Sequence, residues 1–269
     1  MNFLLQLLLK ACIETISFTG IIILIGLFLG ILRNYSIRNF QRSLGSKSIM
    51  LTGVIGVPVH ELSHAVAALV FRHNIMSIKL FQRPDAYGVM GYVEHSYNQN
   101  SIYQQVGNFF IGVAPILGGI GSMIALMYIL IPETYESFIH IMGRNIHLET
   151  LDKSAIAIIL NSYWKLVKAI FSIDNFQNPY FYMFLFVSIC ICSHIALSSA
   201  DIKGASSGLG IIFLVFLILN ALGIAKYIDT FNIIKYNIVI TSLLIVSVIF
   251  SLITFFISLV LLTIRHEHN

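Results

Sequence analysis

Long apolar stretches separated by short polar ones set the reading of this chain. A helix that crosses a bilayer needs about 20 mostly apolar residues. About six stretches approach that requirement, over roughly 13–32, 48–71, 106–131, 181–197, 209–228 and 238–264. Residues 1–10 form an apolar lead-in that suits an interface, and Arg33, Arg38, Arg42 and Lys47 fall in a short polar connector after the first span. Residues 74–105 break the helical pattern. Within them, 77–82 and 89–95 read as two strands around the turn residues 83–88, Arg-Pro-Asp-Ala-Tyr-Gly. The longest polar connection is 132–179, where 155–171 carries Lys165 and Lys168 with the period of a helix lying in the interface. The expected fold is an all-α polytopic membrane protein, one integral domain over 1–269 with a small β-hairpin after the second span.

Composition narrows the classes further. The chain is 57% hydrophobic and 10% charged, whereas an ordinary soluble domain carries about 25% charged residues. Its net charge of +4 is spread over many loops, which favours contact with anionic lipid and excludes a nucleic-acid surface. Cys12, Cys190 and Cys192 lie in apolar segments without metal-finger spacing and read as small buried hydrophobes. No compact basic region precedes the first apolar stretch and no Ala-x-Ala site follows it, so a cleaved signal peptide is not expected. Orientation stays open, because Arg72, Lys79 and Arg83 on the hairpin side nearly balance the basic connector on the other.

Against this background His60-Glu61-Leu62-Ser63-His64 stands out inside the second apolar span. On a helix, positions i and i+4 share a face, so both imidazoles reach one metal ion, while Glu61 is turned aside and can hold a water on it. With nine His in the chain, chance writes such a pattern in under about 1% of sequences of this composition. His60 is about 18 Å along the helix from Ser48 at 1.5 Å per residue, well below a membrane surface. Ionisable groups at that depth are costly and functional by default.

A catalytic zinc ion takes three protein ligands and keeps one position open. Four residues are candidates for the third: Asp201, His194, Glu94 and His95. Asp201 follows the fourth span among serines and a glycine, where a helix can break and turn a carboxylate inward; the competing account is a cap or Asx-turn for the next span. His194 is about 10 Å away along a continuous helix, so it reads as a group behind the ligands or one that contacts the reaction intermediate. Asn108 in the third span could bond a substrate carbonyl or a neighbouring helix, and the nearby run from Gly112 to Gly119 reads as close helix packing. His140, His147 and the tail Arg265-His266-Glu267-His268-Asn269 read as solvated.

The His60-Glu61-x-x-His64 pattern on a membrane helix, the hairpin after it and the later Asp201-x-x-Gly204 resemble the site-2 protease, or M50-type, intramembrane metalloproteases. The resemblance covers about 48–204, the expected metalloprotease core, and leaves 205–269 as scaffold helices. It implies Zn2+ held by His60, His64 and Asp201, with Glu61 as catalytic base. It further implies cleavage of a membrane protein or peptide in or beside the cell membrane. The stretch Leu197-Ser-Ser-Ala-Asp-Ile-Lys-Gly stands where the family usually has Asn-x-x-Pro-x-Pro-x-Leu-Asp-Gly. The expected function is therefore a zinc-dependent intramembrane endopeptidase. Its alternative is a non-catalytic membrane metal carrier or sensor built on the same His/Glu cluster.

Overall fold

The computed structural model describes residues 3–45, 47–85, 88–146, 153–224 and 230–267. Nine helices and two strands are described: α1 (Phe3–Leu44), α2 (Ser48–Val70), β1 (Asn74–Lys79), β2 (Tyr92–Ser96), α3 (Ile102–Leu130), α4 (Pro132–Ile146), α5 (Lys153–Ile170), α6 (Ile173–Gln177), α7 (Pro179–Cys192), α8 (Ser199–Ala221) and α9 (Thr230–Glu267). Helices α1, α2, α3 and α8, together with Tyr236–Arg265 of α9, are long and apolar enough to cross a membrane, and α7 is a shorter apolar helix. The chain is an all-α polytopic membrane protein with a two-stranded antiparallel sheet after α2.

Several boundaries differ from the expectation, each for a physical reason. The lead-in from residue 3 and Arg33, Arg38 and Arg42 of the basic connector belong to α1, which runs unbroken from residue 3 to 44, whereas Lys47 stands at the start of α2. A helix continues past an apolar border because its backbone bonds do not depend on the solvent; Arg38 and Arg42 are exposed, whereas Arg33 turns inward. The fourth span stops at Cys192, and α8 begins at Ser199, ten residues before the fifth span was expected. There Ser198 and Asp201 form a reciprocal capping box, so the polar run at 199–204 is the first turn of a helix. The long polar connection contains α4 and α6 as well as the expected helix α5. Cys190 and Cys192 are buried, but Cys12 is exposed. His140 is exposed on α4, while His147, His268 and Asn269 lie outside the described residues.

The core is built around α3, with Phe109, Ile116, Met123 and Met127 packed against Phe181 and Phe184 of α7 and Phe250 of α9. Lipid-soluble helices gain nothing from hiding apolar surface from one another, so close backbone approach has to hold them. Gly112 faces Ala205 and the Asp201 carbonyl, and Gly208 of α8 lies on the Phe109 backbone. On the other side of α3, Gly118 faces Ser63 of α2. Buried hydroxyls return to their own helix, as Thr15 does to the Ala11 carbonyl (2.8 Å) and Ser36 to that of Leu32 (2.8 Å).

Helix α2 ends in a Schellman turn: His73 N–H bonds the Ala68 carbonyl (2.8 Å) and Arg72 N–H that of Leu69 (3.0 Å). Arg72 takes the left-handed conformation (φ 57°) that the turn requires. The chain then enters β1 directly. The hairpin pairs Asn74 with Ser96, Ile75 with His95 and Ile78 with Val93, with an irregularity between Ile75 and Ser77. Pairing extends beyond the strands through Gln82 N–H to the Met90 carbonyl (2.8 Å).

The α3–α8 contact yields a direct test. Gly208→Val should destabilise the fold by about 1–3 kcal/mol, the usual cost of overpacking. Gly210→Ala, at a glycine with open space beside it, should be neutral or stabilising by up to about 1 kcal/mol. Thermal melts in detergent, followed by size exclusion, distinguish the two outcomes.

Candidate metal centre

His60 and His64 leave α2 one turn apart and meet edge to face, with ring centroids 4.8 Å apart and Nε2 atoms 3.1 Å apart. Each ring is fixed from behind. Nδ1–H of His60 donates to the His194 carbonyl (2.7 Å), and Nδ1–H of His64 donates to the Ile111 carbonyl (2.8 Å). A carbonyl only accepts, so both Nδ1 atoms carry the proton and both Nε2 lone pairs face the same point. Asp201 completes the group, with Oδ1 3.0 Å from His64 Nε2 and Oδ2 3.6 Å from His60 Nε2. One ligand atom from each residue lies within 4.8 Å of the others, and such a group could hold a metal ion.

Both carbonyls behind the imidazoles are ones that a regular helix would have used. The Ile111 carbonyl would accept from residue 115, but Pro115 has no N–H to give. The His194 carbonyl would accept from Ser198 if the helix continued. Instead Ser198 N–H donates to Asp201 Oδ2 (2.7 Å), and Asp201 N–H donates to Ser198 Oγ (3.2 Å). The break between α7 and α8 therefore does two things at once: it releases an acceptor for His60 and aims the Asp201 carboxylate. The cap and the ligand weighed as alternatives for Asp201 are the same geometry. Close approach at the break needs Gly56 on α2, where a Cβ would come within 2.7 Å of the His194 ring.

These residues open on a cavity of about 660 Å³ whose wall includes Arg33, Glu61, Gly91, His95, Asn108 and Asp201. Glu61 is buried at 8% exposure, and the segment leading into β2 presses on it. A Cβ at Gly91 would come within 2.7 Å of Glu61 Cγ and of Val57 Cγ1, so only glycine lets this backbone lie there. The structure thus gathers His60, Glu61, His64, Asn108 and Asp201 around one space.

The remaining candidates fall elsewhere. His194 serves through its carbonyl, while its ring bonds Thr52 Oγ1 (3.0 Å) on α2. Glu94 accepts from Ser77 (2.8 Å) on the exposed side of the hairpin. His95 lines the cavity but pairs with a residue the sequence did not single out. His73 is 3% exposed and donates from Nε2 to the Gln104 carbonyl (2.9 Å). Its Nδ1 therefore accepts from His95 Nδ1–H (3.0 Å). Burial, with His73 and then His64 nearby, pushes the His95 imidazole below its ordinary value.

Fold and site together define a polytopic membrane protein with a two-histidine, one-aspartate group on a cavity inside the helix bundle. Comparison of the chain with protein-family models, curated proteins and solved structures found no match.

Two expectations follow from these contacts. Pro115→Ala restores an N–H that competes for the Ile111 carbonyl, so His64 should lose its support and metal affinity should fall by about tenfold or more. Chelator competition reads this loss, while a melting temperature at or above wild type separates it from unfolding. For the hairpin the sign is set by the lowered His95 value. Its stabilising contribution is complete above about pH 6.5, the unfolded value, and declines as pH falls below it, because the unfolded chain then binds the extra proton. Protection factors of the β2 amides, with the intrinsic pH dependence of exchange divided out, should fall below about pH 6.5 in wild type and lose that step in His95→Gln.

Proposed function

We propose that this chain is a zinc-dependent intramembrane endopeptidase of the site-2 protease type, acting in the cell membrane on membrane-embedded or membrane-adjacent peptide segments. One observation carries the reading: His60, His64 and Asp201 converge within 4.8 Å while Glu61 faces the same cavity inside an apolar bundle. The donor set fits zinc. Four ligands at about 2.0–2.1 Å in a tetrahedron stand about 3.3 Å from one another. The two Nε2 atoms stand 3.1 Å apart and Asp201 Oδ1 lies 3.0 Å from His64 Nε2, both close to that value.

When bound, zinc supplies the Lewis acidity that brings a water to a pKa near 7 and polarises a carbonyl. Glu61 lines the same cavity and would serve there as general base toward a water and then as acid toward the departing amine. Asn108 faces the cavity and has an amide to offer a substrate carbonyl. The segment 88–93, held against Glu61, presents backbone to the same space and suits a substrate that adds to it in extended form. The cavity gives water a place beside the ligands, which hydrolysis at membrane depth requires.

Metal analysis and peptide cleavage test this together. Wild type and Glu61→Gln should each hold about one zinc per chain, and His60→Ala and Asp201→Ala should hold little. Cleavage of a pool of single-span membrane peptides, read by mass spectrometry, should fall by about 10²–10⁴ in Glu61→Gln. Zinc retained by wild type, with no peptide cleaved and metal uptake altered by Glu61→Gln, would turn the reading to a metal carrier or sensor.

A further inference from the structure

Arg33 is the charged residue of the cavity wall that neither the metal site nor the hairpin accounts for. It leaves α1 into the bundle, its guanidinium borders the cavity, and its Nε is buried without a hydrogen-bond partner. Among the described residues no ion pair involves it. Asp201 is the carboxylate whose field reaches it, but both Asp201 oxygens already face His60 and His64. The His194 ring nearby bonds Thr52 through Nε2, and among the described residues no hydrogen bond joins it to Arg33. A guanidinium left unpaired in an apolar bundle is expensive unless an anion comes to it.

Charge points the same way. With neutral histidines, the ionised groups of the cavity wall are Arg33, Glu61 and Asp201, a sum of −1. A divalent ion on the two histidines and Asp201 makes it +1. One monovalent anion then balances the site. The segment 88–93 on the same cavity suits a peptide chain.

We propose that Arg33 is a carboxylate-binding subsite, which selects peptide substrates carrying a free C-terminus or an Asp or Glu side chain near the reacting bond. This rests on the peptidase reading of the neighbouring metal centre. The planar guanidinium takes a carboxylate in a bidentate pair through its terminal nitrogens, for which no hydrogen-bond partner is found among the described residues. Arg33 touches the substrate in this arrangement and takes no part in moving the proton, which stays with Glu61.

Binding measured without turnover tests the subsite apart from the chemistry. Zinc-loaded Glu61→Gln protein in an uncharged detergent is titrated calorimetrically with three tetra-alanine probes: one with a free C-terminus, one amidated, and one amidated with a single Glu replacing Ala. One or both carboxylate probes should bind about tenfold or more tighter than the neutral probe, tenfold being about 1.4 kcal/mol. The winning probe tells a C-terminal from a side-chain carboxylate. Adding Arg33→Gln should erase the preference, and Arg33→Lys should keep part of it. The proposal is overturned if all three probes bind alike, if the preference survives Arg33→Gln, or if phosphatidylglycerol vesicles displace the probes and bind in an Arg33-dependent way. Where Arg33→Gln does not fold, Arg33→Lys decides: it keeps the charge but loses the planar fork, and an undiminished preference overturns the proposal. Absence of cleavage by zinc-loaded wild type would sink the peptidase reading and leave the carboxylate preference standing as a measured fact.

Discussion

The arrangement depends on carbonyl oxygens that regular helices would have kept for themselves. In an apolar bundle no water waits to satisfy a stray polar group, so an imidazole N–H has to find a protein acceptor. Here the acceptors come from two defects in the helical ladder. Pro115 in α3 leaves the Ile111 carbonyl to His64, and the interruption between α7 and α8 leaves the His194 carbonyl to His60. The second defect is self-consistent, since the amide that abandons His194 is the one that holds Asp201. Local breaks in helical bonding thereby fix the tautomer of both histidines and the aim of the carboxylate.

Close helix contact supports this in turn. The broken segment is useful only if α2 approaches its backbone, which Gly56 permits, and Asp201 reaches the histidines only because α8 lies flush against α3 at Gly112 and Gly208. The hairpin obeys the same logic. The Schellman turn at Arg72 sends the chain straight from the histidine helix into β1, and Gly91 then returns backbone to within contact of Glu61. Small residues at these points hold backbone next to functional side chains, a stricter demand than packing alone.

Much of this was legible in the sequence, and the unread part has a common cause. The spacing of His60 and His64 and the placing of Glu61 are local, set by helical geometry, and could be read without a partner. Asp201 was readable as a candidate because serines and glycine around a carboxylate signal a helix start, although its two roles could not be separated. The work of Pro115, the pairing of His73 with His95 and the use of the His194 carbonyl in place of its ring all depend on contacts between distant segments. Arg33 was misplaced for a different reason. A basic residue after twenty apolar ones ordinarily marks the membrane border, and nothing local indicates that α1 continues and turns that side chain inward.

The same breaks bear on how a membrane segment could be cut on the proposed reading. A helical substrate keeps its carbonyls in internal bonds, where they are shielded from a nucleophile, so it has to unwind before hydrolysis. Unwinding in lipid would strand several backbone groups, each at a cost of several kcal/mol. A cavity of about 660 Å³ walled by Asn108, Arg33 and the backbone of 88–93 offers those groups partners at the point where they are released. The protein has already met this problem in its own chain at 193–198, where a membrane helix is opened and the freed groups are taken up by polar neighbours. If the substrate is handled likewise, selectivity belongs with residues that receive an unwound segment, and less with the ligands that hold the metal.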